Sequence, residues 1–289
     1  MTTAKIIADS ISESGIRITT MELEFERFLL AQFNTHRQFS RSAQSSRAVP
    51  VQKMIDALND NTTPKFMKNE KGMQSTEFLE SVEKTEARQI WRDALSNMTF
   101  QSKRLLTLDV HKQFVNRLLE PFATVKVVVT ATEWDNFFGL RLHHAAQPEM
   151  QLLAQAMKTA MDESAPRELN CEEWHTPYIG KDESDGLVKS LGKGKASHNK
   201  RHVNLISAAR CARVSYLNHD NSNPDIEKDL DLAQRLLADK HLSPFEHQAK
   251  PMTNDHYGLD VGETHYDKKG NYWSGNFRGW IQHRQLVDL

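Results

Sequence analysis

The chain has 289 residues, a formal net charge of −1 and two cysteines, Cys171 and Cys211. That length holds one large domain or two small ones around a sizeable core. The near-neutral charge excludes a global bias toward nucleic acid or membrane, and two cysteines are too few for a disulfide framework or a cysteine metal cluster, which points to a reducing compartment. The N-terminal MTTAKIIADSISESG has neither a basic start nor a long apolar core, so no signal peptide is expected. No apolar run approaches the roughly 20 residues of a membrane-spanning helix, so a cytoplasmic location is expected. No internal repeat is evident.

Residues 4–9 and 15–25 read as strands. In the second, Ile16 and Ile18, then Met21, Leu23 and Phe25, alternate with polar residues, with one slip of register near Thr19. An apolar run from Phe25 to Phe33 then enters a polar stretch, Gln32 to Arg47, which carries His36, Arg37, Arg41 and Arg47 among five hydroxyls and no acid. Guanidinium forks and hydroxyls in one segment suit an anionic ligand; a solvated Ser/Arg loop is the plainer reading of the same composition. A short helix is predicted over 51–59 and a loop over 60–75.

Helices are predicted over 76–98, where Phe78, Val82, Ile90, Trp91, Ala94, Leu95 and Met98 recur near the 3.6-residue period, and over 108–120. Val125 to Val129 is a β-branched strand. Two helical stretches follow, 132–143 and 147–162, the second with Pro148 in its first turn. Residues 181–201 are Gly/Lys-rich with little periodicity and read as a linker or exposed loop. A buried-looking segment over 203–216, an amphipathic helix over 225–239, a turn-rich stretch over 249–275 and a final helix over 276–289 complete the chain. The expectation is an α+β fold: a small antiparallel or mixed sheet from 4–25 and 125–131 with helices packed beside it. One catalytic domain is expected over 1–289, with 181–200 as the joint between 1–180 and 201–289.

His36-Arg37, seven residues, then Ser45, with Ser40 between them and Arg47 two further on, resembles the signature of the flavin-dependent thymidylate synthases. Gln32 is also in register. Thr35 stands where the signature has its first Arg, and Ser42 and Ala43 where it has Asn and Glu. A second stretch, Asn136, Arg141, Gln147 and Glu149, keeps the spacing of the family's Arg block. Arg117 resembles the Arg that precedes a Leu-Pro pair upstream of it. A third, His241-Leu242-Ser243-Pro244-Phe245-Glu246-His247, resembles the family's His-x-Ser/Thr-Pro-Phe-Glu-His segment. In isolation His241 and His247 can be read as two zinc ligands, but the spacing and the absence of a cysteine or third clustered His argue against a metal site. In the family the third segment comes first; its place at 241–247 suggests a circular permutation, with 201–289 as the permuted segment and 249–289 as an added tail.

The resemblance implies a fold like that of the thymidylate synthase-complementing proteins, and reductive methylation of dUMP with FAD, NADPH as reductant and methylenetetrahydrofolate as carbon donor. It implies Arg141 as the catalytic residue that draws charge onto the uracil ring, and Gln32, Ser45, Ser46, Arg47, Arg117 and Arg141 as dUMP ligands. His36, Arg37, Gln38, Asn136, His241, Ser243 and Glu246 would meet FAD, with Asn276 and Arg278 of the tail supplying a pair that Thr130 and Thr132 have lost. A homotetramer of small-molecule substrates' sites is implied, with neither nucleic acid nor membrane as partner. Three alternatives stay open: a related flavin/folate reaction such as hydroxymethylation, a nucleotide-binding homologue without turnover, and a zinc hydrolase; against a nucleic-acid-binding module built on the 189–201 basic run stands the near-neutral charge.

Overall fold

The computed structural model describes residues 2–58, 62–72, 75–190, 196–214, 225–253 and 261–287. The parts of the expected segments that fall on 59–61, 73–74, 191–195, 215–224, 254–260 and 288–289 lie outside these. The fold is α+β. Its centre is a five-stranded mixed sheet of order β3–β4–β2–β1–β5. β1 (Thr3–Ser12) and β2 (Arg17–Glu26) form an antiparallel hairpin; β2 and β3 (Ser40–Ala43) both pair antiparallel with β4 (Thr124–Ala131), and β5 (Arg167–Leu169) runs parallel to β1. Helices follow in the order α1 (Leu30–Phe33), α2 (Val51–Asp56), α3 (Ser81–Thr107), α4 (Lys112–Val115), α5 (Asp135–Arg141), α6 (Pro148–Asp162), α7 (Lys181–Ser190), α8 (Ala196–Ala212) and α9 (Ile226–Ala238).

The slip near Thr19 is a change of buried face. Successive strand residues point to opposite sides. Met21, Leu23 and Phe25 pack with Val125, Val127 and Val129 against Phe137, Met150, Leu153 and Met157 of α5 and α6. Ile18 points the other way and packs with Leu169, Ala249, Phe277 and Trp280. Both faces are covered, so Thr20 and Thr130, on the second face, are fully buried and must find partners inside the protein.

Four expected elements differ. The helix placed at 76–98 runs over Ser81–Thr107 because 99–107 continues with good helix formers, and much of its apolar side is open: Val82 is 75% and Ile90 62% exposed. Trp91 ties it down through an edge contact with Phe122, centroids 5.1 Å apart. The helix expected over 108–120 is only α4 followed by 3₁₀ turns at Asn116–Leu118 and Glu120–Phe122. Asp109 at φ 58° and Pro121 interrupt it. The linker expected over 181–201 is helical, in α7 and the start of α8, because Leu187 is buried against Ile179, Val203 and Ile206.

The final helix expected over 276–289 is instead β9 (Phe277–Arg278), β10 (Trp280–Gln282) and a 3₁₀ turn. β6 (Ala249–Pro251) pairs with β10, while β7 (His265–Tyr266), β8 (Tyr272–Ser274) and β9 form a small antiparallel sheet. Gly279 decides this: its φ is 70°, a left-handed value no helix interior takes, and a Cβ there would lie 2.3 Å from Ile16 Cδ1. The turn drives Trp280 into the second face of the sheet, where its indole donates to Ile16 O at 3.1 Å. Trp280 is fully buried. Trp280→Ala should therefore lower unfolding stability by about 3–5 kcal/mol, read from denaturant midpoints. A loss below about 1 kcal/mol would remove the tail from the core.

Candidate functional site

The polar stretch leaves the core on an aromatic base. Phe33 and Phe39 are buried and meet Phe137, with ring centroids 5.9 and 5.3 Å away. Between them the chain turns, and Arg41 fixes the turn from inside by donating to Asn34 O at 3.1 Å and His36 O at 2.7 Å. His36 is thereby held against Phe39 and edge-on to Phe137. Its Nε2 accepts from Arg141 Nε at 2.9 Å, which assigns the ring proton, if neutral, to Nδ1. Burial, then Arg141 and Arg41, lower the His36 pKa from 6.5 to about 4, so the ring is neutral at pH 7.

Arg141 sits in the last turn of α5, where a cation complements the helix dipole. Besides His36 it reaches Thr35 Oγ1 at 3.4 Å, and that hydroxyl itself donates to Gln32 O at 2.7 Å. Thr35 thus ties the turn together at the position where an Arg was expected. Arg141 lines two cavities. The smaller, about 470 Å³, is also lined by His36, Arg37, Gln38, Glu133 and Asn136. The larger, about 940 Å³, is lined by Gln32, Lys65, Gln147 and Glu149 among others. Gln32 Oε1 is buried there with no partner among the described residues. Glu149 is turned to structure: it accepts from Lys65 N at 2.5 Å and from Gln147 Nε2 at 3.0 Å.

Ser46 and Arg117 come together elsewhere, around a carboxylate. Ser46 Oγ donates to Glu120, which also takes Arg117 Nη1 at 3.0 Å and Arg27 Nη2 at 3.2 Å. Asn116 holds this corner by donating to Ser46 O and Val49 O. Arg47 is exposed and Ser45 half-buried beside it.

The 241–247 segment lies against β3. His241 and Ser243 are exposed on it, and Glu246 pairs with Arg284. Gln282 Nε2 joins Glu246 O, at 2.9 Å, to Ser40 Oγ, at 3.0 Å. His247 is buried, with Nε2 2.9 Å from Ser42 Oγ and Nδ1 2.9 Å from Thr130 Oγ1. The chain of contacts continues from Thr130 to Thr20 at 2.7 Å, to His175 Nε2 at 2.8 Å, and from His175 Nδ1 to Ser10 at 2.9 Å. Burial lowers both imidazoles to about 3. Asn276 Nδ2 approaches Ser40 Oγ at 3.4 Å; Arg278 N donates to Thr132 Oγ1 at 3.0 Å and its side chain pairs with Glu133. The tail therefore closes on the strand ends beside the smaller cavity.

Most residues predicted from sequence thus fall into three groups: Gln32, His36, Arg37, Gln38, Asn136 and Arg141 at the cavities, Ser46 and Arg117 at Glu120, and Glu246, Asn276 and Arg278 along the edge of β3; Ser45, half-buried, and Arg47, His241 and Ser243, all exposed, join none of these contacts. Glu120, Arg27 and His175 were missed. The signal for Glu120 was present: Glu120-Pro121 stands where Leu-Pro was expected.

Fold and site together define an α+β protein with a basic, aromatic-floored double cavity at one end of a mixed sheet. The chain belongs to the thymidylate synthase complementing protein family, whose model matches residues 13–167. That span holds the signature and the Arg141 block; 241–247 lies outside it. Among solved structures, the chain is similar to the UMP/dUMP methylase PolB from Streptomyces cacaoi. With 5-Br UMP bound, that structure shows 16% identity and a TM-score of 0.45 over 56% of this chain and 89% of that one. With 5-Br dUMP the values are 13% and 0.47 over 56% and 90%. Thymidylate Synthase X from Helicobacter pylori with FAD and dUMP gives 17% and 0.36 over 50% and 67%. No curated protein matches the chain.

His36 offers a direct check. Its folded pKa lies below the unfolded value, so the unfolded chain binds the extra proton first and the stability it contributes is lost as pH falls from 6.5 toward about 4. The ring resonances should titrate at about 4 by NMR. A midpoint near 6.5 would mean that Arg141 and burial do not hold the ring.

Proposed function

We propose that the chain is a flavin-dependent thymidylate synthase, methylating dUMP at C5 with methylenetetrahydrofolate as carbon donor and NADPH as reductant. The observation that carries the reading is Arg141: a guanidinium fixed by a neutral imidazole at the wall between two cavities. Two of its N–H groups are engaged by His36 and Thr35. The others are left for a substrate oxygen.

The larger cavity suits the pyrimidine. Gln32 lines it, and a side-chain amide carries both the donor and the acceptor that a uracil's imide edge requires. Arg141 would then face the ring's carbonyl edge, stabilising negative charge at N3 and O2 and so raising the nucleophilicity of C5. Ser45, Ser46, Arg47 and Arg117, which line neither cavity of this subunit, would be the phosphate ligands contributed by a second subunit of the assembly. No cysteine is needed as nucleophile: Cys211 is fully buried, its thiol pKa pushed up by that burial, and Cys171 lies outside both cavities.

The smaller cavity fits a flavin by its donors. Glu133 is its one carboxylate lining residue, and Arg278 neutralises it, leaving Arg37, Gln38 and Asn136 to meet an anionic, nitrogen-rich cofactor. FAD would be held there by these residues with His36 and, from the β3 edge, His241, Ser243, Glu246, Asn276 and Arg278. When bound it would supply the hydride chemistry; the protein orients it and tunes its charge. Neutral His36 would present Nδ1–H as a donor. The adjacency of 241–247 to β3 supports a circularly permuted family fold in one catalytic domain, and we take the working unit to be a cytoplasmic homotetramer. No described helix is long and apolar enough to cross a membrane. Thr35 in place of the signature Arg favours one second reading, hydroxymethylation of dUMP with the same cofactors.

Arg141→Ala and Arg141→Lys should fold, take up FAD and be reduced by NADPH much as the unaltered protein is. Their NADPH-dependent conversion of dUMP should fall about 100-fold or more, the scale for loss of one pre-organised charge stabiliser. Conversion near the original rate would remove Arg141 from the chemistry, and a protein that takes up no FAD would remove the flavin reading altogether.

A further inference from the structure

Glu120 begins a 3₁₀ turn whose next residue is Pro121. Its side chain is only 21% exposed, and donors converge on it from three directions. Oε1 accepts from Ser46 Oγ, from Arg117 Nη1 at 3.0 Å and from Arg27 Nη2 at 3.2 Å; Oε2 accepts from Arg117 Nη1 at 3.2 Å. The corner is rigid. Ser46 is buried, Asn116 holds the backbone on either side of it, and Arg27 N donates to Ala123 O at 2.9 Å.

A hydroxyl and two guanidinium groups around one oxyanion are the donor set that a phosphate requires. Here a carboxylate already holds it. Ser46 has a single O–H, already given to Glu120, and Arg117 Nη1 is shared between both Glu120 oxygens, so a phosphate dianion taking these same donors would lie beside the carboxylate and the two anions would repel. Arg27 differs from the other two donors. It is 14% exposed against 57% for Arg117, and also donates to Gln44 O, so it cannot follow a ligand and would be left as a buried unpaired charge if Glu120 departed fully.

We propose that Glu120 is an internal occupant of the phosphate subsite: a nucleoside monophosphate binds by displacing its carboxylate from Ser46 and Arg117, while Arg27 retains it. Glu120 then sets how strongly the protein prefers a phosphorylated nucleoside over a bare one. The inference rests on the proposed roles of Ser46 and Arg117 as phosphate ligands.

Calorimetric titration of the unaltered protein and of Glu120→Gln with dUMP and with deoxyuridine tests it. Glutamine keeps an acceptor for Arg27 and Ser46 but removes the competing charge. Glu120→Gln should bind dUMP about tenfold or more tightly, since a like-charge juxtaposition is removed, and deoxyuridine unchanged. A second measurement needs no variant: carbodiimide-driven amidation of Glu120, followed by peptide mass spectrometry, should rise with saturating dUMP and not with deoxyuridine. Unchanged or weaker dUMP binding by folded Glu120→Gln, or labelling of Glu120 indifferent to dUMP, overturns the inference while leaving the proposed activity standing. Failure of the unaltered protein to bind either ligand overturns the proposed function and the inference with it.

Discussion

One imidazole joins the two halves of this chain. His247 reaches Ser42 on β3 with one nitrogen and Thr130 on β4 with the other, each at 2.9 Å. Its burial lowers the pKa to about 3, so the ring is neutral, with one N–H and one lone pair, and the hydroxyls take complementary roles on either side. Thr130 then passes the ordering on through Thr20 to His175 and Ser10. The hydroxyls and imidazoles of this chain of contacts are therefore coupled, the donor or acceptor role of each constraining that of the next. The β3 edge, on which Ser40 and Ser42 stand, is fixed by the segment 241–247 rather than by its own short strand.

On the opposite face the constraint is apolar. Aromatic rings from α1, α5 and the turn between α1 and β3 form the floor on which His36 is pinned, and Arg141 closes over it. Two kinds of packing thus meet at the site: a dry aromatic layer that orients the imidazole and guanidinium, and a hydroxyl–imidazole layer that orients the strand edge. A preorganised charge in such a place is worth more than in water because little has to rearrange around it.

Much of this was legible in the sequence. The alternation in 17–26, the β-branched run at 125–129 and Pro148 at a helix start each carry a local signal, and each became the expected element. The spacing of His36, Asn136 and Arg141 carried the cavity residues, because helix and turn geometry convert spacing into direction. What was not legible depended on long-range partners. The 181–201 region lacks periodicity, and only the burial of Leu187 against α8 makes its helix worthwhile. The tail contains ordinary helix formers, and only the left-handed glycines and the cavity waiting for Trp280 make it turn back into strands. Glu120 could be read only as a departure from a pattern, since nothing local says that Arg27, ninety-odd residues away, will face it.

The contact between Ile16 and Trp280 spans 264 positions of the chain. Its consequence concerns the order of assembly. The hairpin of β1 and β2 can form early from neighbouring residues, and α5 and α6 can cover one of its faces soon after. The other face, with Ile18 bare and Thr20 without its imidazole partner, stays open to water until residues 175–282 arrive. Closing so long a loop is slow because its entropy must be lost before the contact rewards it. The second face is thus the part of the core that depends on the most distant contacts of the chain, and the tail is what completes it.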